Sequence, residues 1–192
     1  MGYALMLMIQ FIERESLDAV HWYALKVYFN KVDDMEHLLV QEGVECYVPR
    51  TAKADADAPG RMRMGLVIPS LMFFRSSLPC ARRLQQSLRG KAMVYTRQCE
   101  GAWMPAAISD REMNVFRLVV SSGEDGLEYF AEDRRVFHKG ERVRVTGGPF
   151  AGAEGRIVRV KGNRRLIVSL PGVCAIATSY IPQCFLQKLA QE

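Results

Sequence analysis

The chain has 192 residues, of which 49% are hydrophobic and 24% are charged. This is the composition of one globular domain or two small ones, and it excludes disorder of the whole chain. The net charge of +5 is unevenly spread, because residues 134–192 hold 11 Lys/Arg and 3 Asp/Glu, whereas residues 1–133 hold 15 and 18. A basic end on a slightly acidic body indicates an anionic partner, the alternative being a solvated basic face.

The cysteines are odd in number and form no C-x-x-C pair, so neither a disulfide framework nor a zinc site is indicated. This usage is typical of the reducing cytoplasm, where we expect the chain to work. Residues 1–20 start with an apolar run that lacks a basic region and a cleavage site, and we interpret them as an N-terminal extension without a membrane role. We interpret all five cysteines as small buried hydrophobic residues: Cys46, Cys80, Cys99, Cys174 and Cys184.

Up to residue 120 the sequence alternates between strand and helix patterns. Asn30 is placed as the N-cap of a first helix, which Gly43 ends. Small, polar and charged residues predict an exposed loop or hairpin tip at 51–63. Ser109 and Glu112 form a capping box for a further helix. The predicted strands are 21–29, 44–48, 66–75 and 92–97, with a second helix from Pro79 to Gly90 and an apolar stripe of Met113, Phe116, Val119 and Val120 on the third.

Beyond a predicted linker at 121–137, short strands alternate with glycine-containing turns. The predicted strands are 142–145, 156–160, 166–170 and 174–177, which together make a small β-barrel at 138–189. Alternation places Arg142 and Arg144 on one face and Val143 and Val145 on the other. The fold class is therefore α+β, with residues 21–120 as an antiparallel sheet with flanking helices and the barrel as a second domain.

No catalytic, phosphate-binding or metal motif is present, so we expect neither an enzyme nor a bound cofactor. The candidates are binding residues. Lys53, Arg61 and Arg63 stand at the predicted tip, where they contact a nucleic-acid backbone or simply solubilise a hairpin. The aromatic residues of 22–29 occupy both faces of one strand, so at least one face should be interfacial or exposed.

Three stretches resemble NusG-type transcription elongation factors. They are the Trp22-Tyr23 strand with its helix and V-E-C-Y-V-P-R, the segment I-P-S-L-M-F at 68–73, and A-I-S-D-R-E at 107–112. The glycine pattern from Lys139 to Val158 in addition closely matches a KOW motif of SH3-like type. Ser70 and Leu71 replace the usual Gly and Tyr of the family, which points to a specialised paralogue of the RfaH or UpxY kind.

The resemblance implies a monomer that binds RNA polymerase through its N-terminal domain and suppresses pausing and termination, with Trp22, Tyr23, Phe73 and Phe74 as contacts. It implies that 53–63 lies near non-template DNA or nascent RNA, and that a surface-polysaccharide operon is the target. The KOW domain would bind a ribosomal protein or a termination factor. A ribosome-associated or RNA-binding KOW protein is the alternative. The implied KOW contacts are Phe150, Arg142, Arg144 and Arg159.

Overall fold

The computed structural model describes residues 19–54, 60–99, 101–124, 126–130, 140–160 and 162–190. Residues 1–18, the centre of the predicted loop, and His138 and Lys139 lie outside the described residues. The chain divides into two compact units that interleave along the sequence. Unit 1 comprises Met1–Tyr47 and Ser70–Ser109, and unit 2 comprises Val48–Pro69 and Asp110–Glu192. The consecutive boundaries expected from the sequence stay predictions.

Strands dominate the described residues. In chain order the elements are β1 (Val20–Val27), α1 (Val32–Gln41), β2 (Glu45–Tyr47), β3 (Arg50–Ala54), β4 (Met62–Leu66), β5 (Leu71–Ser77), α2 (Leu78–Ser87), β6 (Ala92–Val94), β7 (Thr96–Cys99), β8 (Ala102–Pro105), α3 (Asp110–Ser121), β9 (Glu128–Phe130), β10 (Glu141–Val145), β11 (Glu154–Val160), β12 (Asn163–Leu170), β13 (Cys174–Ala177) and β14 (Leu186–Lys188), with a 3-10 turn at Gln183–Phe185.

Unit 1 is built on a four-stranded antiparallel sheet in the order β2-β5-β1-β6. Its central strand β1 is rich in aromatic and aliphatic residues, which suit a strand buried on both faces. Tyr23 lies opposite Phe74, and Ala24 lies opposite Phe73. Trp22 exchanges two backbone hydrogen bonds with Ile108, of 3.0 and 2.8 Å, which fixes the last segment of this unit beside β1.

The turn between β1 and α1 differs from the predicted helix start. Phe29 and Asn30 both have left-handed backbone angles, with φ of 59° and 56°. An N-cap residue needs a non-helical, usually extended backbone, so the predicted N-cap at Asn30 is wrong. Lys31 occupies the N-cap instead, without a side-chain hydrogen bond to the helix. The predicted end is confirmed, because Gly43 follows α1 with a φ of 73°.

The strand predicted at 66–75 is interrupted by a turn. β4 ends at Leu66, and the turn at 67–70 separates it from β5. Pro69 lacks a backbone N–H, and Ser70 has a φ of 64°, so neither residue continues a strand. The sequence pattern also does not predict β8, which pairs with β7 as a short hairpin in which half of the residues are exposed.

Unit 2 holds a six-stranded antiparallel sheet in the order β14-β10-β11-β12-β13-β9, together with the β3–β4 hairpin and α3. The four strands predicted from the alternating pattern are confirmed as β10 to β13. Val143 and Val145 are buried while Arg144 is exposed, as the alternation predicts. β9 lies within the predicted linker, so residues 128–130 are a strand paired with β13 and not a connecting segment.

Helix α3 has the predicted apolar stripe, with Met113, Phe116, Val119 and Val120 buried. Within unit 2 it packs on β12 and β3. One face of the sheet carries a cluster of Val158, Ile167, Ala175 and Ala177, against which Phe130 of β9 packs. These contacts make the helix and the sheet one structural unit.

Candidate functional site

The four aromatic residues expected to contact polymerase lie in the sheet of unit 1. Trp22 and Tyr23 are on β1, and Phe73 and Phe74 are on the neighbouring β5. None of the four is more than 3% exposed, and the Tyr23 and Phe74 ring centroids are 5.6 Å apart. The structure therefore places them in the core. A direct contact with a partner requires a conformation in which they are exposed.

The pKa of Tyr23 is affected by burial and by nearby positive charges. Burial raises the pKa of its hydroxyl above the ordinary value of 10.0, although the guanidinium groups of Arg82 and Arg97 lower it. The phenol is therefore neutral at physiological pH. Arg82 belongs to α2 and Arg97 to β7. Two separate elements thus bring positive charge to this side of unit 1.

Helix α2 and the turn after it carry a cluster of positive charge. Residues 70–99 contain six Lys/Arg and no Asp/Glu. Within the part of the chain that the structure describes, none of the four exposed cations from α2 to β6 makes an ion pair or a hydrogen bond. These four are Arg82, Arg83, Arg89 and Lys91.

A groove of about 440 Å³ lies along this basic helix. Arg82, Gln85 and Gln86 of α2 line it together because residues at these spacings share one helix face, and Arg89 lines it from the turn after α2. Tyr28, from the turn after β1, completes the wall. The lining is polar and cationic, which is the chemistry that receives phosphate groups.

A second groove, of about 310 Å³, adjoins the first and shares Tyr28 and Gly90 with it. Its walls are mostly apolar, and Phe29 beside it is 82% exposed. The Phe29 ring lies edge-on to Tyr28, with centroids 6.3 Å apart. The other lining residues are Lys31, Asp34, Met35, Leu38 and Lys91, of which Lys31 and Asp34 form an ion pair of 2.9 Å.

The residues expected to contact nucleic acid lie on the β3–β4 hairpin of unit 2. Arg61 precedes β4 and Arg63 lies within it, and both are exposed. Lys53 is opposite Arg63 in the backbone register. Met62 and Met64 are 61% and 62% exposed, so residues 61–64 alternate arginine with exposed methionine. The nucleic-acid role of this hairpin stays a prediction.

The residues expected to bind a KOW partner differ in exposure. Phe150 is 3% exposed and belongs to the core of unit 2. Arg142 is half-buried, whereas Arg144 and Arg159 are exposed. The aromatic groups that reach the surface near the 147–150 turn are Tyr180 and Phe185, at 73% and 36% exposed. A contact through the Phe150 ring itself would require a change at this turn.

Arg144 is engaged within unit 2 by an acidic residue. Glu154 Oε1 accepts a hydrogen bond of 2.6 Å from Arg144 Nη2, and its Oε2 accepts one of 2.6 Å from Arg111 Nη2 of α3. Burial alone raises the pKa of Glu154, but the hydrogen bonds and charges of Arg144 and Arg111 outweigh it and hold the pKa below its ordinary value. Glu154 thus stays ionised and ties α3 to the sheet.

The cysteines are only partly the buried residues that the sequence predicts. Cys174 is buried and Cys184 is exposed, so the interpretation is right for the first and wrong for the second. Burial, with Glu36 and Glu45 nearby, raises the pKa of the Cys46 thiol to about 11, which leaves it protonated. Among the described residues, no group of His, Cys, Asp and Glu is arranged to hold a metal ion. No helix in the described ranges is long and apolar enough to cross a membrane.

The sheet with flanking helices, followed by a six-stranded KOW-type sheet, is the architecture of a two-part transcription factor. The family model described as Transcription termination factor nusG matches residues 20–117, and the model described as KOW motif matches residues 139–169. Because the first match spans half of the sequence, the chain belongs to the NusG family, and its domains are those of a transcription elongation or antitermination factor.

The comparison with solved structures gives a match of low similarity. The structure titled "Domain interaction in Thermotoga maritima NusG" aligns with 90% of this chain and 98% of that chain, at 16% identity and a TM-score of 0.43. No curated protein matches the sequence. The resemblance to NusG is thus confirmed from the family models, whereas the RfaH- or UpxY-like kind stays a prediction.

The basic groove of unit 1 is not predicted by the sequence pattern. Over residues 1–133 as a whole, acidic residues outnumber basic ones and conceal the local excess. The signal was present as the absence of Asp and Glu from residues 58–99, which hold eight Lys/Arg. The pattern at 21–29 predicts a strand with an exposed aromatic face, whereas the structure places the exposed Phe29 on a left-handed turn after β1.

Proposed function

We propose that this chain is an antitermination or elongation factor that binds RNA polymerase through the domain at residues 20–117 and a second partner through its KOW sheet. The observation that supports it is the succession of both family matches along one chain, the first over residues 20–117 and the second over residues 139–169. Polymerase binding is a property of NusG-family members, and it is proposed here for this chain.

The polymerase contact is proposed to include the aromatic strands β1 and β5. Trp22, Tyr23, Phe73 and Phe74 are buried in this structure. They therefore contribute either by shaping the contacting surface or by becoming exposed when polymerase binds. In both cases a change of shape at Phe73 alters polymerase affinity more than a similar change at a core residue with no such role.

Purified core RNA polymerase and the tagged full-length chain test this proposal in a pull-down. We expect the wild-type chain to retain polymerase, and we expect Phe73→Leu, which keeps the core filled, to weaken retention. Met72→Leu is the matched control, because Met72 is the preceding residue of β5 and is equally buried. Thermal unfolding of each variant shows whether it is folded. Absence of polymerase from the wild-type pull-down would exclude the proposal.

The target is proposed to be a surface-polysaccharide operon, as for the UpxY-like paralogues that the sequence resembles. Support comes from Ser70 and Leu71, where the general family has Gly and Tyr. Deleting the gene is expected to reduce transcripts of the distal operon genes while the promoter-proximal transcript is unchanged. An equal loss of proximal and distal transcripts, or no loss, would contradict this target.

A further inference from the structure

A cavity of about 290 Å³ lies within unit 2, between α3 and the six-stranded sheet. Helix α3 contributes Arg111, Glu112 and Val115, and the sheet contributes residues of β10, β11 and β12. The proposed function assigns no small-molecule ligand to this cavity. The geometry points to a binding site for a small organic phosphate, with the phosphate group on Arg142 and Arg156.

Two arginines of the sheet lie directly opposite each other in this cavity. Arg142 of β10 is the backbone partner of Arg156 of β11, so the two side chains share one face of the sheet. Both are half-buried and both line the cavity, and we call them the opposed pair. Like charges in such a position repel each other and destabilise a sheet. An anion between the two guanidinium groups removes this repulsion, and their planar donors match the oxygen atoms of a phosphate.

The charges around the cavity suit a dianion. Glu154 binds both Arg111 and Arg144, each at 2.6 Å. Glu112, the other acidic residue of the walls, is engaged as well. Together with the opposed pair, four arginines and two glutamates give the site a net charge of +2. A phosphomonoester group carries a charge of about −1.5 to −2 at neutral pH, so the charges of ligand and site are complementary.

Ser169 adds a hydroxyl group that has no hydrogen-bond partner within the described residues. It lies on β12 two residues after Ile167, the backbone partner of Arg156, and therefore on the same face of the sheet. It lines the cavity, and its Oγ is buried. A buried hydroxyl without a partner lowers stability. A phosphate oxygen in the cavity is the acceptor that this hydroxyl lacks.

The apolar part of the lining indicates an organic phosphate and not the free ion. Val115 of α3, Ile167 of β12 and Pro171, which follows β12, all line the cavity. Its volume is close to the lower end of the range of about 300–1,000 Å³ that is typical of small-molecule sites. A phosphate group alone leaves these apolar side chains uncovered, whereas an organic group packs on them and is removed from water.

Thermal unfolding of the full-length chain with adenosine monophosphate tests the site, because a ligand that binds the folded chain raises its melting temperature. At constant ionic strength, we expect inorganic phosphate to raise it less and adenosine to leave it unchanged. An equal rise with adenosine would overturn the role of the phosphate group. An equal rise with inorganic phosphate would overturn the organic part, and no rise with any of the three compounds would overturn the site.

The Arg142→Gln/Arg156→Gln variant removes the charges of the opposed pair and keeps polar side chains there. We expect the affinity for adenosine monophosphate, measured by titration calorimetry, to fall at least about tenfold. Arg164→Gln is the matched control, because Arg164 is an exposed arginine of β12 that lies opposite Arg159 and does not line the cavity. An equal loss of affinity in Arg164→Gln would reduce the effect to net charge and overturn the site.

Ser169→Ala separates binding of a ligand from a structural role. Without ligand, we expect this variant to melt at the wild-type temperature or above it, because the hydroxyl has no partner within the described residues. Its affinity for adenosine monophosphate should fall about twofold to tenfold, for one lost hydrogen bond. A lower melting temperature with unchanged affinity would contradict the role of Ser169 in binding. Neither the site nor its test involves polymerase, so failure here leaves the proposed function untouched.

Discussion

Ser70 is a position at which this chain differs from the family that it resembles. Its φ of 64° is left-handed, which glycine adopts without cost, and the resemblance places glycine at this position. Its carbonyl oxygen accepts a hydrogen bond of 2.7 Å from the Val27 N–H, so the turn is held in place by β1. The serine is therefore kept in an unfavourable conformation by its surroundings.

Replacing Ser70 by glycine is expected to stabilise the protein. A left-handed conformation costs a residue with a Cβ about 1–2 kcal/mol, which glycine avoids. Glycine is also more flexible in the unfolded chain, and this offsets about 0.5–1 kcal/mol of the gain. We expect Ser70→Gly to raise the free energy of unfolding by about 0.5–1 kcal/mol in urea titrations. Ser77→Gly is the control, because Ser77 has a φ of −75° and should lose stability. A loss in both variants would contradict the argument.

At Gly155 we expect a substitution to lower the free energy of unfolding, because the position has no room for a side chain. A Cβ at this position would clash with the backbone carbonyl oxygen of Ile167 on β12. We expect Gly155→Ala to lower the free energy of unfolding by roughly 1–3 kcal/mol, the usual cost of overpacking. At Gly147 a Cβ would meet the ring of Phe185, which is 36% exposed and can move. Gly147→Ala should therefore cost less, and the reverse order would contradict this reading.

At the scale of elements, the contact between α3 and the KOW sheet depends on pH. Arg111 of α3 and Arg144 of β10 both bind Glu154 of β11, whose side chain is 14% exposed. The pKa of Glu154 is lowered by folding. The contribution of ionised Glu154 to the free energy of unfolding is therefore fully present above pH 4.5, the ordinary pKa of a glutamate. It is lost as the pH falls through the lower pKa of Glu154 in the folded chain.

Glu154→Gln tests this contact. We expect it to destabilise the chain by about 1 kcal/mol at neutral pH, because both arginines are well exposed and solvent screens the pair. The difference from the wild type should vanish in acid, where the wild-type carboxylate is itself protonated. Glu141→Gln is the control, since Glu141 and its partner Lys188 are 50% and 76% exposed. A difference that persists at low pH would exclude the ion pair as its cause.

The sequence pattern predicts some of the strands and helices and fails for others. The alternation of apolar and polar residues around Val143 and Val145 predicts β10, and the apolar stripe from Met113 to Val120 predicts α3. Both predictions work because an element that is buried on one face has apolar residues at regular spacing. β9 and β14 have three residues each, which is too short for a period. The start of α1 failed because Asn30 suits both an N-cap and a left-handed turn, and only the tertiary structure decides between them.

For the molecule as a whole, the site was less predictable than the fold. The motifs around Trp22 and Gly147-Gly148-Pro149 identified the family, since they specify local backbone geometry. Burial of Phe73, Phe74 and Phe150 could not be read from them, because an aromatic residue has the same pattern in a core and on a binding face. The basic surface on α2 became visible only when the fold collected Arg82, Arg89 and Phe29 on one side of unit 1.

The central claim is that this chain acts on elongating RNA polymerase, and transcription in vitro tests it most directly. A stalled elongation complex is released on a template with a pause site and a terminator, with and without the full-length chain. We expect the chain to migrate with the complex, shorten the pause and raise readthrough. A folded chain that neither migrates with the complex nor changes the pause or the terminator would contradict the claim.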